Sequence, residues 1–348
     1  MSPVAPRPRD RVHCAKMTAV EFECVPRDRR SFQRPLTAMQ VEAMCGRLLG
    51  SEVVPVRAVE NEFGTYNSTY RVEFAESEPV FLRVAPSEDL QLRSERHFMR
   101  NEHAGFPYLA PIAGMLPRYL GADFTHAIVD RDYVVQSELP GRPAPLGLAD
   151  FPRDEWEPFF RDMGTIAKAI HEVRGERFGP LVGQSFDTWG GAFLASLDEI
   201  AADHVRLGLE SQDVGVLSDA VIHNLELLNQ VAEPRLLHGD LWTVNVTIAN
   251  DLPRPRIVGV CDWDRISWGD PLADWTIRMA KRRQGTERDA FWEAYGSPDA
   301  TPEAAVRALI YEARHVLTSR IERFRLGLHD EVAASYRDLG EVLGQLPK

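Results

Sequence analysis

The chain has 348 residues, 44% of them hydrophobic, enough for a sizeable core and, by size alone, for two lobes rather than one. Its formal net charge of −12 argues against general binding to nucleic acid or to a membrane surface, whose phosphates would repel it, and suits a cationic ligand better. Basic residues are nearly all Arg, with Lys only at Lys16, Lys168, Lys281 and Lys348. Cys14, Cys24, Cys45 and Cys261 form no CxxC pair and no His/Cys metal spacing, so they read as the reduced thiols of a cytoplasmic protein. No apolar run is long enough to span a bilayer. The N-terminus lacks the apolar stretch of a secretory signal, and residues 1–30 read as a mobile arm.

In chain order, Thr37 to Leu49 carries Met39, Val41, Met44 and Leu48 at near-helical spacing. Strand-like segments follow at Val53 to Val59, Ser68 to Phe74 and Val80 to Val84, the second alternating Tyr70, Val72 and Phe74 on one face. A helix is predicted across Gln91 to Ala104, stopping before Pro107, and a strand pair around Ala122 to Ile128 and Tyr133 to Ser137. The run Leu139-Pro140-Gly141-Arg142-Pro143 breaks regular structure and marks a lobe boundary. Beyond it the pattern is helical at Glu155 to His171, Thr188 to Asp203, Val216 to Val231, Pro302 to Phe324 and Glu331 to Leu346. The expected fold is α+β with two lobes: a strand-rich N-lobe over 31–138 and a larger, mainly helical C-lobe over 139–348.

One compact segment carries most of the chemistry. Apolar pairs flank His238-Gly239-Asp240-Leu-Trp242-Thr-Val-Asn245, the look of a short loop whose polar side chains point into a cleft. A carboxylate and an amide five residues apart fit phosphoryl transfer, the first to orient a hydroxyl and take its proton, the second to help hold a metal. A turn with a capping Asp and a capping Asn fits the same letters. Next, the apolar strand Ile257 to Cys261 runs into Asp262-Trp263-Asp264. A strand-end carboxylate is a hard oxygen ligand for Mg2+ or the cap of the following turn. Gly269-Asp270-Pro271 is a turn, with Asp270 and Asp274 expected to brace the loop or cap a helix.

His238-Gly239-Asp240-x-x-x-x-Asn245, the strand ending in Asp262, and Gly269-Asp270-Pro271-x-x-Asp274 together resemble the signature of aminoglycoside phosphotransferases and their choline-kinase-like relatives, which share the protein-kinase fold. The resemblance implies Asp240 as the catalytic carboxylate, Asn245 and Asp262 as Mg2+ ligands, and His238 as a structural residue of the loop. It implies ATP or GTP as phosphoryl donor and a small-molecule hydroxyl acceptor, possibly cationic, in a monomer or homodimer that binds neither nucleic acid nor membrane.

The phosphate-covering hairpin would be Glu62 to Thr69, with one Gly and with Asn67 and Ser68 as polar contacts. Arg83 stands where this fold expects a strand Lys; it is always charged and binds phosphate bidentately. Glu102, in preference to Glu95, is the expected helix acid for that cation. The hinge Tyr133 to Leu139, with Gln136 and Glu138, would offer backbone hydrogen bonds to a purine base. On the acceptor side, Asp264, Trp189 and Trp242 are the expected lining residues, with Trp275, Glu312 and Glu322 as further candidates. The leading expectation is phosphorylation of an antibiotic-like hydroxyl compound, conferring resistance. A metabolic kinase of choline, homoserine, thio-sugar or fructosamine type is the rival within the class. Outside it stand a pseudokinase or ligand-binding module, motivated by Arg83 and the sparse glycines, and a hydrolase with a metal pair held by His238, Asp240, Asp262 and Asp264.

Overall fold

A computed structural model describes residues 12–13 (backbone only), 20–26, 33–62, 64–281, 285–297 and 299–347. The chain divides into two compact units, one of Met1–Gln91 with Pro117–Leu139 and one of Leu92–Leu116 with Pro140–Lys348.

The first unit is a seven-stranded sheet: β1 (Val12–His13), β2 (Glu21–Cys24), β3 (Pro55–Glu60), β4 (Ser68–Phe74), β5 (Val80–Val84), β6 (Tyr119–Asp123) and β7 (Tyr133–Ser137), in the order β1-β2-β3-β4-β5-β7-β6. All pairings are antiparallel except β2 with β3. Helix α1 (Ala38–Leu49) starts at Thr37, whose hydroxyl accepts the Gln40 N–H while the Gln40 side chain returns to the Thr37 N–H, a reciprocal cap. Its buried Val41, Met44 and Cys45 pack on Ala58, Tyr70, Val72, Leu82, Val84, Tyr133 and Val135 of one sheet face. Period-two alternation therefore sends Phe81, Arg83, Val134 and Gln136 to the other face.

Two expectations change here. Part of the presumed arm is structural: Val20 and Phe22 are buried in this core, Val25 is buried as well, and Glu60 accepts the Val25 N–H at 2.8 Å. The rest of the arm lies outside the described residues, β1 apart. The sixth strand also sits earlier than expected, because Asp123 turns the chain by accepting from the Thr125 N–H and hydroxyl and from Tyr133.

The second unit begins inside the predicted N-lobe. Residues 92–116 belong to it, and the expected helix over 91–104 is broken. Arg93–Glu95 is a 3-10 turn held by Asp203, whose carboxylate accepts the Arg93 and Ser94 N–H groups. His97 then takes a left-handed conformation (φ 68°), and helix α2 (Phe98–Gly105) starts anew. After β8 (Arg142–Pro143) and α3 (Ala144–Gly147) come α4 (Glu157–His171), β9 (Gly179–Pro180), α5 (Trp189–Leu207), α6 (Gln212–His223) and α7 (Leu225–Asn229). The strands β10 (Arg235–Leu237), β11 (Val246–Ile248), β12 (Ile257–Val260) and β13 (Ser267–Gly269) follow. Helices α8 (Trp275–Lys281), α9 (Asp289–Tyr295), α10 (Pro302–Arg325) and α11 (His329–Leu343) complete the unit. The second core joins α5, α6 and α10 through Phe193, Leu197, Ile200, Leu217, Ile310 and Leu317. With β8 and β9, these four short strands form two three-stranded sheets, β10-β13-β9 and β12-β11-β8, which fix the loops between them.

Candidate active site

The loop after β10 is held from below by one buried carboxylate. Asp274 accepts the backbone N–H of His238 at 2.9 Å and of Gly239 at 3.2 Å, and its Oδ2 lies 3.0 Å from His171 Nε2. Burial alone would raise the Asp274 pKa; the bond to His171 and the charges and N–H groups around it hold it below the usual carboxylate range. His171 is itself fixed by the Tyr295 hydroxyl at 2.7 Å from Nδ1. Gly239 turns with φ 81°, and a Cβ there would stand 2.5 Å from the Arg265 carbonyl oxygen, so this turn admits only glycine. His238 is completely buried, its Nδ1 accepts the Asp240 N–H at 3.3 Å, and burial pushes its pKa down to about 4. It is thus a neutral, structural imidazole.

These constraints aim Asp240. The Asn245 amide donates to the Asp240 carbonyl at 2.8 Å and to its Oδ2 at 3.0 Å. Arg265 Nη1 lies 3.4 Å from the same Oδ2. Burial pushes the carboxyl up to about 7; Arg265 and the Asn245 bond oppose this, while Asp262 and Glu322 add to it. Asn245 ends a 3-10 turn and leads into β11, which pairs with β12 so that Val246 faces Val260. The Cys261 N–H donates to the Asn245 carbonyl at 3.0 Å, so Asn245 and Asp262 occupy the same end of this hairpin. Asp262 has φ 63°, a left-handed conformation rare for a non-glycine residue and concentrated at functional turns.

The following turn is clamped by Asn101, which the sequence did not single out. Its amide donates to the carbonyls of Asp264 (2.9 Å) and Ile266 (2.7 Å), and its oxygen accepts from Leu181 and Val182. Trp263 is buried and donates to the Glu102 carbonyl at 2.9 Å. Asp264 is almost fully buried, and burial together with Asp262 raises its pKa well above the usual range. Arg265, also missed by sequence reasoning, lies with its guanidinium 5.6 Å from the Phe98 ring centre. Its only signal was its place three residues after the strand-end acid.

Other expected residues are distributed as follows. Asp270 caps the turn at Leu272 and binds Arg307 (3.0 Å) and Tyr311 (2.7 Å), a bracing role. Trp189 is not at an acceptor surface: it packs in the α5–α10 core and donates to Tyr311 at 2.7 Å, because its aromatic bulk fills the space against Phe178 and Phe193. Trp242 lies beside the loop, edge-on to Trp275 at 6.2 Å. Glu312 is engaged by both ends of the Arg278 guanidinium, and Glu95 by Arg325 and the Leu92 N–H. Glu102 is fully buried on α2.

In the first unit, Gln33 ties the hairpin by donating to the carbonyls of Gly64 (3.0 Å) and Asn67 (2.7 Å), leaving Asn67 Oδ1 buried without a hydrogen-bond partner. The Ser68 hydroxyl donates to the Arg34 carbonyl at 3.2 Å. Arg83 is buried on β5, opposite Thr69 on one side and Val134 on the other. Gln136 lies inside the sheet between β5 and β6, so the side chain, with Oε1 unpartnered, is what it offers. Glu138 is exposed, and its carboxylate pairs with Arg71 at 3.1 Å.

Among the described residues no three His, Cys, Asp or Glu side chains cluster as a metal cage. With its Nδ2 turned to Asp240, Asn245 has only its oxygen to offer, and Asp262 adds a carboxylate: a hard, all-oxygen donor set.

The model of the phosphotransferase enzyme family matches residues 58–309. No curated protein sequence matches significantly. Among solved structures, aminoglycoside phosphotransferase APH(4)-Ia superposes with a TM-score of 0.60 at 17% identity, covering 88% of this chain and 98% of that one. A thermostable mutant of it is known in ternary complex with ADP and hygromycin B. The GDP complex of aminoglycoside 2'-phosphotransferase-IIIa superposes with a TM-score of 0.60 at 14% identity, covering 89% and 99%.

Proposed function

Because the chain belongs to the phosphotransferase enzyme family and is a small-molecule kinase, we propose that it transfers the terminal phosphoryl group of ATP or GTP to a hydroxyl of a small amine-bearing acceptor, with Asp240 as the catalytic carboxylate. The observation that carries this reading is the aim of Asp240, which is set by Asn245, Arg265 and the braced turn at Gly239. Asn245 and Asp262 would hold Mg2+, which when bound neutralises phosphate charge. Arg83, Asn67 and Ser68 would meet the nucleotide's phosphates.

Asp240 orients the acceptor hydroxyl and takes its proton late, since a loose phosphoryl-transfer transition state asks mainly for positioning and charge neutralisation. His238 cannot compete as base, being buried against the loop backbone. Glu322, whose charge reaches Asp240, gives the acceptor side an acidic wall suited to an amine. An antibiotic-like acceptor, with resistance as the outcome, is the reading supported by the hygromycin B complex of the structural neighbour.

The test is nucleoside diphosphate formation with Mg2+, ATP or GTP and a panel of hydroxylated amines, sugars and nucleosides. The expected result is diphosphate release that depends on acceptor, with a phosphorylated acceptor found by mass spectrometry. Stoichiometric inorganic phosphate release without any acceptor would make the chain a hydrolase and remove the proposal.

A further inference from the structure

We propose that the acceptor carries an oxyanion, a carboxylate or a phosphate, beside the hydroxyl that is phosphorylated, and that Arg314 recognises it. This deepens the phosphotransferase reading and rests on it for the identity of the acceptor side. Helix α10 bears five arginines. Four have acids: Arg307 has Asp270 and Asp299, Arg320 has Asp213, Arg323 has Glu331 and Arg325 has Glu95. Arg314 has none among the described residues. It is half-buried, its Nε donates to Ser196 Oγ of α5 at 3.0 Å, and its guanidinium lies 5.9 Å from the Phe193 ring centre. With Nε engaged, both terminal nitrogens remain as the fork that fits an oxyanion bidentately.

A second observation points the same way. Trp242, two residues after Asp240, stands edge-on to Trp275, and Trp275 edge-on to His315 at 5.3 Å, the residue next to Arg314. This row of rings runs from the catalytic loop to α10 beside Arg314, and Arg265, 3.4 Å from Asp240, is close enough for its charge to act on Arg314. The indole N–H groups of Trp242 and Trp275 are both buried without a hydrogen-bond acceptor, and an indole nitrogen only donates. Buried donors without partners are costly, and a ligand with accepting oxygens satisfies them.

The surrounding charge agrees. Burial and the nearby charge of Arg265 weaken the hold of Arg314 on its proton, which an anion would restore. Glu199, one turn from Ser196 on α5, acts on Arg314 by its charge without an ion pair, and the charges of Arg93 and Arg96 act on Glu199 as well. A purely cationic acceptor would meet like charge at Arg314; one with both an amine and an oxyanion matches both walls.

The experiment uses the full chain without nucleotide. Acetate and inorganic phosphate are titrated separately against chloride at equal ionic strength, following the indole N–H resonances of Trp242 and Trp275. A saturable shift with either anion is expected, acetate or phosphate responding according to which oxyanion the site takes. Arg314→Gln should weaken the response at least tenfold, and Arg314→Lys, which keeps the charge without the fork, should weaken it less. No saturable response in the wild-type protein overturns the proposal whatever the variants do, and so does a response unchanged by either substitution. Asp240→Asn separates the two readings: it should lose phosphoryl transfer and bind the anion as the wild type does.

Discussion

At the residue scale, Asp240 holds a carboxyl that the fold makes uncomfortable. Burial raises its pKa to about 7, against about 3.9 in an unfolded chain. Between these values the folded protein binds more protons at this site than the unfolded one, so this site's contribution to stability falls as pH rises through the window. Asparagine keeps the shape without the charge. Asp240→Asn is therefore expected to be more stable than wild type at pH 8, by up to about 4 kcal/mol for a shift of about three units, and nearly equal to it at pH 4. Urea unfolding at both pH values measures this, and a variant less stable than wild type at pH 8 would contradict it. Stability given up at a functional carboxyl is a common trade.

Asp274 is the opposite kind of acid, held low and fully satisfied. Removing it orphans two backbone N–H groups and His171 at once. Asp274→Ala should cost about 3–5 kcal/mol, the usual loss when one partner of a buried pair is deleted. Asp274→Asn, which retains one accepting oxygen, should cost less. Denaturant melts of the two variants compare them; equal and small losses would show that the brace does not hold the loop.

At the scale of elements, the strands β4, β5 and β7 were legible residue for residue: β4 alternates with the pleat, and β5 and β7 are short, largely apolar runs buried on both faces. In the second unit α4, α5, α10 and α11 were legible to within a few residues; Asn224 splits the predicted Val216 to Val231 helix into α6 and α7, and the short helices α3, α8 and α9 carried too few turns to show a period. Two further features were not legible. The break at His97 follows a 3-10 turn whose Arg93 and Ser94 N–H groups are held by Asp203, about a hundred residues away, a contact no local pattern announces. Strand β2 is short and pairs with β3 in parallel, a non-local contact that periodicity in four residues cannot announce. Its place in the core gives a prediction: a chain lacking residues 1–26 loses Val20, Phe22 and Val25 and the cap on Glu60, and should be destabilised by several kcal/mol at roughly 1.5–3 kcal/mol per buried side chain. Thermal denaturation of the truncated chain checks this. An unchanged Tm would mean that these residues form a dispensable arm after all.

At the scale of the whole molecule, the motif from His238 to Asp274 gave family and fold together, since its spacing is that of a loop, a hairpin and a turn braced against one another. What it hid was the set of residues that act through other residues. Arg265 and Asn101 reach the site by packing, not by motif, and Trp189 shows the converse: an aromatic in the right stretch that serves the core. The measurement that tests the account most directly is the turnover of Asp240→Asn with an identified acceptor, beside its nucleotide affinity. Turnover should fall by about 10²–10⁴-fold, the range for loss of a general base, with nucleotide affinity nearly unchanged, because the role proposed for Asp240 is toward the acceptor and not the nucleotide. Turnover near the wild-type rate would contradict the central claim.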